Sequence, residues 1–266
     1  MEYLSHFETD ASPSVSGNFK HRRCVMKITS QKYGPSDFSV GLAQEMLITL
    51  GKVGFSPEMA KDIVNAKSGK AAKVVELFNN NQYSDLALDW QNFYRDLFGI
   101  QLDFSNLQIP NKKEGFDRLI IVAEGMTSQR LYDKCEELFP CWKWTDRSLD
   151  EVVTSDRTAK NQAYAIWIRD RVEADEELKS FSADGLKNQN ISGITLEERL
   201  VYELKYFKET RKHLDIENVT LCAGSRCGDG NVPDVRWGED YDDELGVGWC
   251  DPGAACDYLR SRVAVS

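Results

Sequence analysis

The sequence predicts a helical N-terminal region followed by a mixed α/β or α+β domain with a β-rich C-terminal part. Apolar residues recur at helical spacing between residues 38 and 100. Two β-branched runs of strand length, around Ile120 and Ile166, lie beside helix signals. After residue 218, short apolar segments alternate with turns that are rich in Gly and Asp.

Three segments follow from this pattern. Residues 1–36 are expected to form a mobile arm, because residues 9–18 are small and polar and include Pro and Gly. Such a composition buries too little apolar surface to offset the entropy lost on ordering. Residues 38–100 are expected to form a helical region. Residues 114–266 are expected to form the α/β domain, which ends in a tail rich in Cys, Asp and Gly.

Composition narrows the functional classes. The 266 residues carry a net charge of −10, which disfavours nucleic-acid binding, since clustered Lys and Arg are needed to displace counterions. No apolar run approaches the roughly 18 residues that indicate a membrane span, and residues 1–10 lack the apolar core of a secretory signal. The seven Cys are an odd number, which suits free thiols in a reducing compartment. We therefore expect a cytoplasmic protein with no membrane or nucleic-acid partner.

Three short helices are predicted between residues 38 and 79. The first has an apolar face made of Phe38, Leu42, Met46, Leu47 and Leu50. Ser56-Pro57 predicts the start of the second, because Ser caps helices and Pro suits the first helical position. The third has an apolar face made of Ala71, Val74, Val75 and Phe78.

Val53-Gly54-Phe55 separates the first two of these helices, and Lys67-Ser68-Gly69-Lys70 precedes the third. With these turns, residues 38–79 resemble a ubiquitin-associated (UBA) three-helix module, which usually has Met-Gly-Phe at the first turn. The resemblance implies docking of a protein partner by Val53, Gly54 and Phe55. The alternative is a helical cap that packs on the rest of the chain, because fold does not imply function.

The helices of the second half are predicted from their capping signals. Residues 85–98 form an amphipathic helix that Gly99 ends, and its aromatic stripe indicates core packing. Thr127 or Ser128 starts another helix. Thr195 and Glu198 form a capping box at the start of a long helix. Residues 149–153 predict a single helical turn, and residues 173–181 predict a helix.

The strands are predicted from β-branched and alternating segments, and residues 164–169 are apolar enough to be a central strand. The others are residues 118–123, 141–144, 218–223, 232–237, 245–249 and 259–265. From about residue 110 to 266, the chain is similar to an uncharacterised family of bacterial hypothetical proteins. The resemblance rests on residues 110–118, on residues 221–226 and on the chain that follows them, and it implies no activity.

Two pairs of cysteines are candidate zinc ligands. Cys222 and Cys227 flank one turn, and Cys250 and Cys256 flank another. Tetrahedral zinc takes four such ligands from tight turns, although five residues separate the second pair, which is wider than usual. Packed or surface thiols are the alternative. Zinc is therefore a possible cofactor from the sequence, and its ligands would be these four cysteines.

Asp156, Glu173 and Asp175 are candidate catalytic carboxylates, because acids at strand ends beside Arg can hold a metal for phosphate or ester hydrolysis. Surface ion pairs are the alternative. The three His are too scattered for a histidine-based triad. The leading hypothesis is thus a non-enzymatic protein-interaction protein. A metal-dependent hydrolase or nuclease that uses these carboxylates is the second.

Overall fold

The computed structural model describes residues 39–65, 67, 69–74, 83–238 and 243–266. The arm expected at residues 1–36 lies outside these residues. The chain divides into two compact units, and the division falls between Asn65 and Ala66. The predicted fold class is confirmed, since helices and strands are mixed and a five-stranded mixed sheet lies in the C-terminal part.

The described part of the first unit, residues 39–65, contains two helices, α1 (Val40–Lys52) and α2 (Pro57–Val64). Ser39 caps α1 and Ser56 caps α2, each by accepting the backbone N–H three residues further on. Both helices therefore begin at signals that are legible in the sequence. Of the third predicted helix, residues 70–74 are helical, whereas Val75 and Phe78 lie outside the described residues.

Within its described residues, the second unit contains the helical residues 70–74, five further α-helices, a short 3-10 turn and nine strands. The helices are α3 (Ser84–Phe98), α4 (Ser128–Glu136), α5 (Leu149–Val152), α6 (Ala183–Asn188) and α7 (Leu196–Thr210), and the 3-10 turn is Glu176–Leu178. The strands are β1 (Arg118–Val122), β2 (Cys141–Lys143), β3 (Val153–Ser155), β4 (Tyr164–Ile168), β5 (Val219–Leu221), β6 (Ser225–Cys227), β7 (Val232–Gly238), β8 (Glu244–Cys250) and β9 (Leu259–Arg260).

Helix α3 packs against β1 and belongs to the second unit. The indole of Trp90 donates a hydrogen bond to the carbonyl of Leu119 at 3.2 Å. The Tyr94 hydroxyl donates to the carbonyl of Ile121 at 2.7 Å and accepts from the Ala123 N–H at 3.1 Å. The aromatic side chains of α3 thus lie in the core, as the sequence predicted, and they hold α3 against the rest of the second unit.

The sheet order is β2-β8-β7-β5-β9. Its edge strands β2 and β9 run parallel to their neighbours, and the inner pairs are antiparallel. β1 and β4 form a separate antiparallel pair, as do β3 and β6. The expectation that residues 164–169 form a central strand of the sheet was wrong. β4 is buried, but the only pairing it makes with described residues is that with β1, apart from one bridge between Trp167 and Val265.

The prediction of a helix at residues 173–181 was also wrong, because only the 3-10 turn Glu176–Leu178 forms there. Bonds to distant residues hold this segment. The Asp175 N–H donates to the carbonyl of Ser261 at 3.0 Å, and the Ser180 N–H donates to the carbonyl of Leu259 at 3.3 Å. These hydrogen bonds to Leu259 and Ser261 hold the backbone of the segment in a conformation that is not helical.

Helix α7 lies at the centre of the second unit. Its predicted capping box is present, with the Thr195 and Glu198 side chains each bonded to the other's backbone N–H. Ten of its fifteen residues are buried, and it contacts β1, α4 and β7. None of the described helices combines the length and apolar character needed to cross a bilayer.

Candidate functional site

The helices of the first unit expose their apolar side chains. No residue of α1 or α2 is buried. The exposed large apolar side chains are Val40, Leu42, Met46, Leu47, Ile48, Val53, Met59 and Val64. Scattered apolar residues are normal on protein surfaces, but a dense group over two short helices is typical of an interaction surface. We call α1, α2 and the turn between them the helical pair.

The turn of the helical pair holds the three residues that the sequence singled out. The N–H groups of Val53 and Phe55 both donate to the carbonyl of Leu50, at 3.1 and 3.0 Å. Gly54 has φ +98°, a conformation that residues with a side chain rarely adopt, and the space beside its Cα is open. Val53 is 80% exposed, whereas Phe55 is only partly exposed. Val53 is therefore the side chain of the turn that is most available to a partner.

The candidate carboxylates take part in separate structural contacts. Glu173 accepts the backbone N–H groups of Ile216, Glu217 and Asn218 at 3.0 to 3.2 Å, so its carboxylate fixes a turn. Asp156 is exposed, and no described hydrogen bond or ion pair joins it to Glu173.

Asp175 is buried. Its Oδ2 accepts from Arg169 at 2.6 Å and from the Val263 N–H at 2.8 Å, while its Oδ1 has no hydrogen-bond partner among the described residues. Over the described residues, no group of three His, Cys, Asp or Glu is arranged to hold a metal ion. The carboxylate hypothesis therefore gains no support from the geometry.

Three of the four candidate zinc cysteines lie in two different hydrophobic clusters. Cys222 lies in the main core, while Cys250 and Cys256 pack in a second cluster around Val219, Leu221, Val232 and Leu259. All are free thiols, as is Cys227. Burial raises the pKa of the Cys227 and Cys250 thiols to about 12, so both are protonated at neutral pH. The described residues offer no four-cysteine site, and the packed-thiol alternative fits these positions.

The sequence did not reveal a buried ionic cluster beside α7. Arg199 donates to Asp215 at 2.8 Å and to Glu203 at 2.7 Å, and Arg262 donates to Asp215 at 2.6 Å. His213 lies 2.9 Å from Glu203. The two arginines and two carboxylates are almost fully excluded from solvent. Because these charges satisfy one another, the cluster is structural, and only the fold brings its members together.

Comparisons with known proteins add no further evidence. No family model, curated protein or solved structure matches the chain. The two resemblances noted from the sequence therefore receive no support from these comparisons, and function must be argued from the residues themselves.

Proposed function

We propose that this chain is a non-enzymatic binding protein that docks a protein partner through the helical pair. The observation that carries the proposal is the exposure of eight large apolar side chains on α1, α2 and their turn, where no residue is buried. Covering a group of this kind removes apolar surface from water, which contributes about 25 cal/mol per Å² before the costs of association.

The chemistry of the helical pair defines the partner. Helix α1 carries only Glu45 and Lys52 as charged residues among its thirteen. Helix α2 adds Glu58, Lys61 and Asp62. The partner surface therefore combines apolar and charged groups, and we propose an amphipathic helix of another protein. The second hypothesis, a metal-dependent hydrolase, has no comparable observation in its favour.

A charge placed at the turn tests this proposal. Val53→Asp should lower the affinity for the partner at least tenfold, because docking would bury a carboxylate in an apolar contact. Val53 is 80% exposed, so the free protein should keep its stability. Leu138→Asp is a matched control, since Leu138 is an exposed apolar residue outside the helical pair.

The measurement is capture of partners by the full-length chain, followed by calorimetric titration of each purified candidate against the original protein and both variants. The proposal predicts a stoichiometric partner that Val53→Asp loses and Leu138→Asp keeps. Equal binding by all three proteins, or self-association as the only interaction, would overturn it.

A further inference from the structure

One face of the five-stranded sheet carries an open cleft of about 390 Å³. This volume lies within the range of small-molecule sites. Its floor is β8, in which Gly246 and Gly248 alternate with the buried Leu245 and Val247. Since glycine has no side chain, a ligand can approach the sheet closely at Gly246, whereas the Asp234 carboxylate lies over Gly248, with its Oδ1 2.8 Å from the place where a Cβ would stand.

The walls of the cleft come from the two strands beside β8. Trp142 of β2 lies opposite Gly246, which lies opposite Arg236 of β7, and Asp234 lies opposite Gly248. Because neighbouring strands are about 4.8 Å apart, the two walls face each other across roughly 10 Å. The cleft is thus a trough with an aromatic wall and a polar wall.

Four aromatic residues border the trough, namely Trp142, Trp144, Trp249 and Tyr258, and the alternation of β8 places the Trp249 side chain on the face opposite to Gly246 and Gly248. Trp142, Trp249 and Tyr258 are 50%, 49% and 53% exposed. Within the described part of the chain, no ring contact joins two of these four, and no Lys or Arg lies over them. These four rings are therefore not packed against one another and not covered by a cation of the described residues.

Asp234 and Arg236 supply an acceptor and a donor. They lie on the same face of β7, two residues and therefore about 7 Å apart. A cationic ligand would meet the charge of Arg236, and an anionic one would meet that of Asp234. An uncharged ligand that both donates and accepts hydrogen bonds suits the pair best.

We propose that this trough binds a neutral oligosaccharide. The C–H faces of its sugar rings would stack on the exposed indole and phenol rings, and its hydroxyl groups would bond to Asp234 and Arg236. An extended peptide suits the cleft less well, because peptides add to sheet edges, whereas β8 is hydrogen-bonded on both sides, to β2 and β7. This inference is independent of the helical pair.

The arrangement favours binding over hydrolysis. Among the described residues, Glu244 is the other carboxylate that lines the cleft, and it lies opposite Gly238, which is four residues from Asp234 along β7. That offset places the two acids about 13 Å apart on the backbone. Paired glycosidase carboxylates are only about 5 to 9.5 Å apart.

Asp234→Asn provides a variant that should stay folded. Burial raises the pKa of Asp234 to about 6, against the opposing effects of Arg236 and the Gly248 N–H. The folded protein thus binds this proton more tightly than the unfolded chain, and stability falls as pH rises from about 4 through 6. The Asp234 carboxylate in turn helps to raise the pKa of the thiols of Cys222, Cys227 and Cys250 and of the hydroxyl of Tyr258. Their pKa values are raised, so they stay protonated in this range.

Asparagine lacks the ionisation, so Asp234→Asn should raise the melting temperature by a few degrees above about pH 7 and leave it unchanged near pH 4 or below. Thermal unfolding across this pH range checks the expectation. A lower melting temperature at neutral pH would show that the Asp234 carboxylate stabilises the fold.

The binding test titrates the full-length protein with neutral hexasaccharides of glucose, xylose and N-acetylglucosamine, read by tryptophan fluorescence and calorimetry. We expect saturable binding by at least one of them, weakened at least tenfold by Trp142→Ala and severalfold by Asp234→Asn. Gly246→Val should block the floor. Gly228→Val is its control, since a Cβ at either glycine meets its nearest neighbour at 3.9 Å.

Three outcomes would overturn the proposal. One is no saturable binding of any hexasaccharide up to about 10 mM. Another is binding that both Trp142→Ala and Gly246→Val leave intact. The last is competition for the cleft by an unstructured peptide that outbinds every saccharide.

Discussion

Replacing Asp215 with asparagine should lower the free energy of unfolding by about 3–5 kcal/mol, because removing one partner of a buried ion pair leaves a charge uncompensated. Asp215 is fully buried and accepts from Arg199 at 2.8 Å and from Arg262 at 2.6 Å. Arg199 keeps Glu203 as a second carboxylate. Arg262 would keep only hydroxyl and carbonyl acceptors, so most of the loss should arise there.

Asparagine is the appropriate substitution for this test. Asp215 has φ +56°, a left-handed conformation that Asn tolerates better than most residues. The variant therefore removes the charge with little backbone strain. Urea unfolding measures the effect, and Glu151→Gln is the control, since Glu151 pairs with Arg147 on the surface. We expect a change below about 1 kcal/mol for the control. Similar values for both variants would contradict this account of the ionic cluster.

Trp167→Ala should destabilise the second unit by about 3–5 kcal/mol through loss of apolar contacts and creation of a cavity. Trp167 is 1% exposed, and its indole donates to the carbonyl of Pro110 at 2.8 Å. Its ring also packs edge-on against Tyr83, with centroids 5.1 Å apart. Truncation would remove all these contacts from one side chain.

Trp249→Ala is the matched control, because it removes the same side chain from a position that is 49% exposed. Its effect on thermal unfolding should stay within about 1 kcal/mol. Equal destabilisation by the two variants would contradict the buried position of Trp167 in the core.

The sequence predicted the parts of the fold that depend on neighbouring residues. The capping box of Thr195 and Glu198 and the helix end at Gly99 are local signals, and both form as predicted. The segment at 173–181 departed from its local pattern, because the Asp175 backbone bonds to Ser261. Such contacts join residues that are far apart in the sequence, so the local pattern of residues cannot predict them.

The same physical limit applies to the sites. Only Gly54 separates Val53 from Phe55 in the sequence, so their shared turn could be predicted, but the exposure of the whole helical pair could not. The trough depends on Trp142 lying opposite Gly246, a pairing between residues about a hundred positions apart. The alternation of glycines in β8 can be read from the sequence, but this pattern does not identify the strands that pair with β8. Register across a sheet is set by tertiary packing.

The most direct test of the proposed function places a photo-reactive amino acid at position 53 of the full-length protein in its native cells. The same probe at position 138 is the control, since both side chains are exposed. Docking through the helical pair predicts one discrete cross-linked protein from position 53 that position 138 does not give. Identical products from both positions, or cross-links only to another copy of this chain, would contradict it.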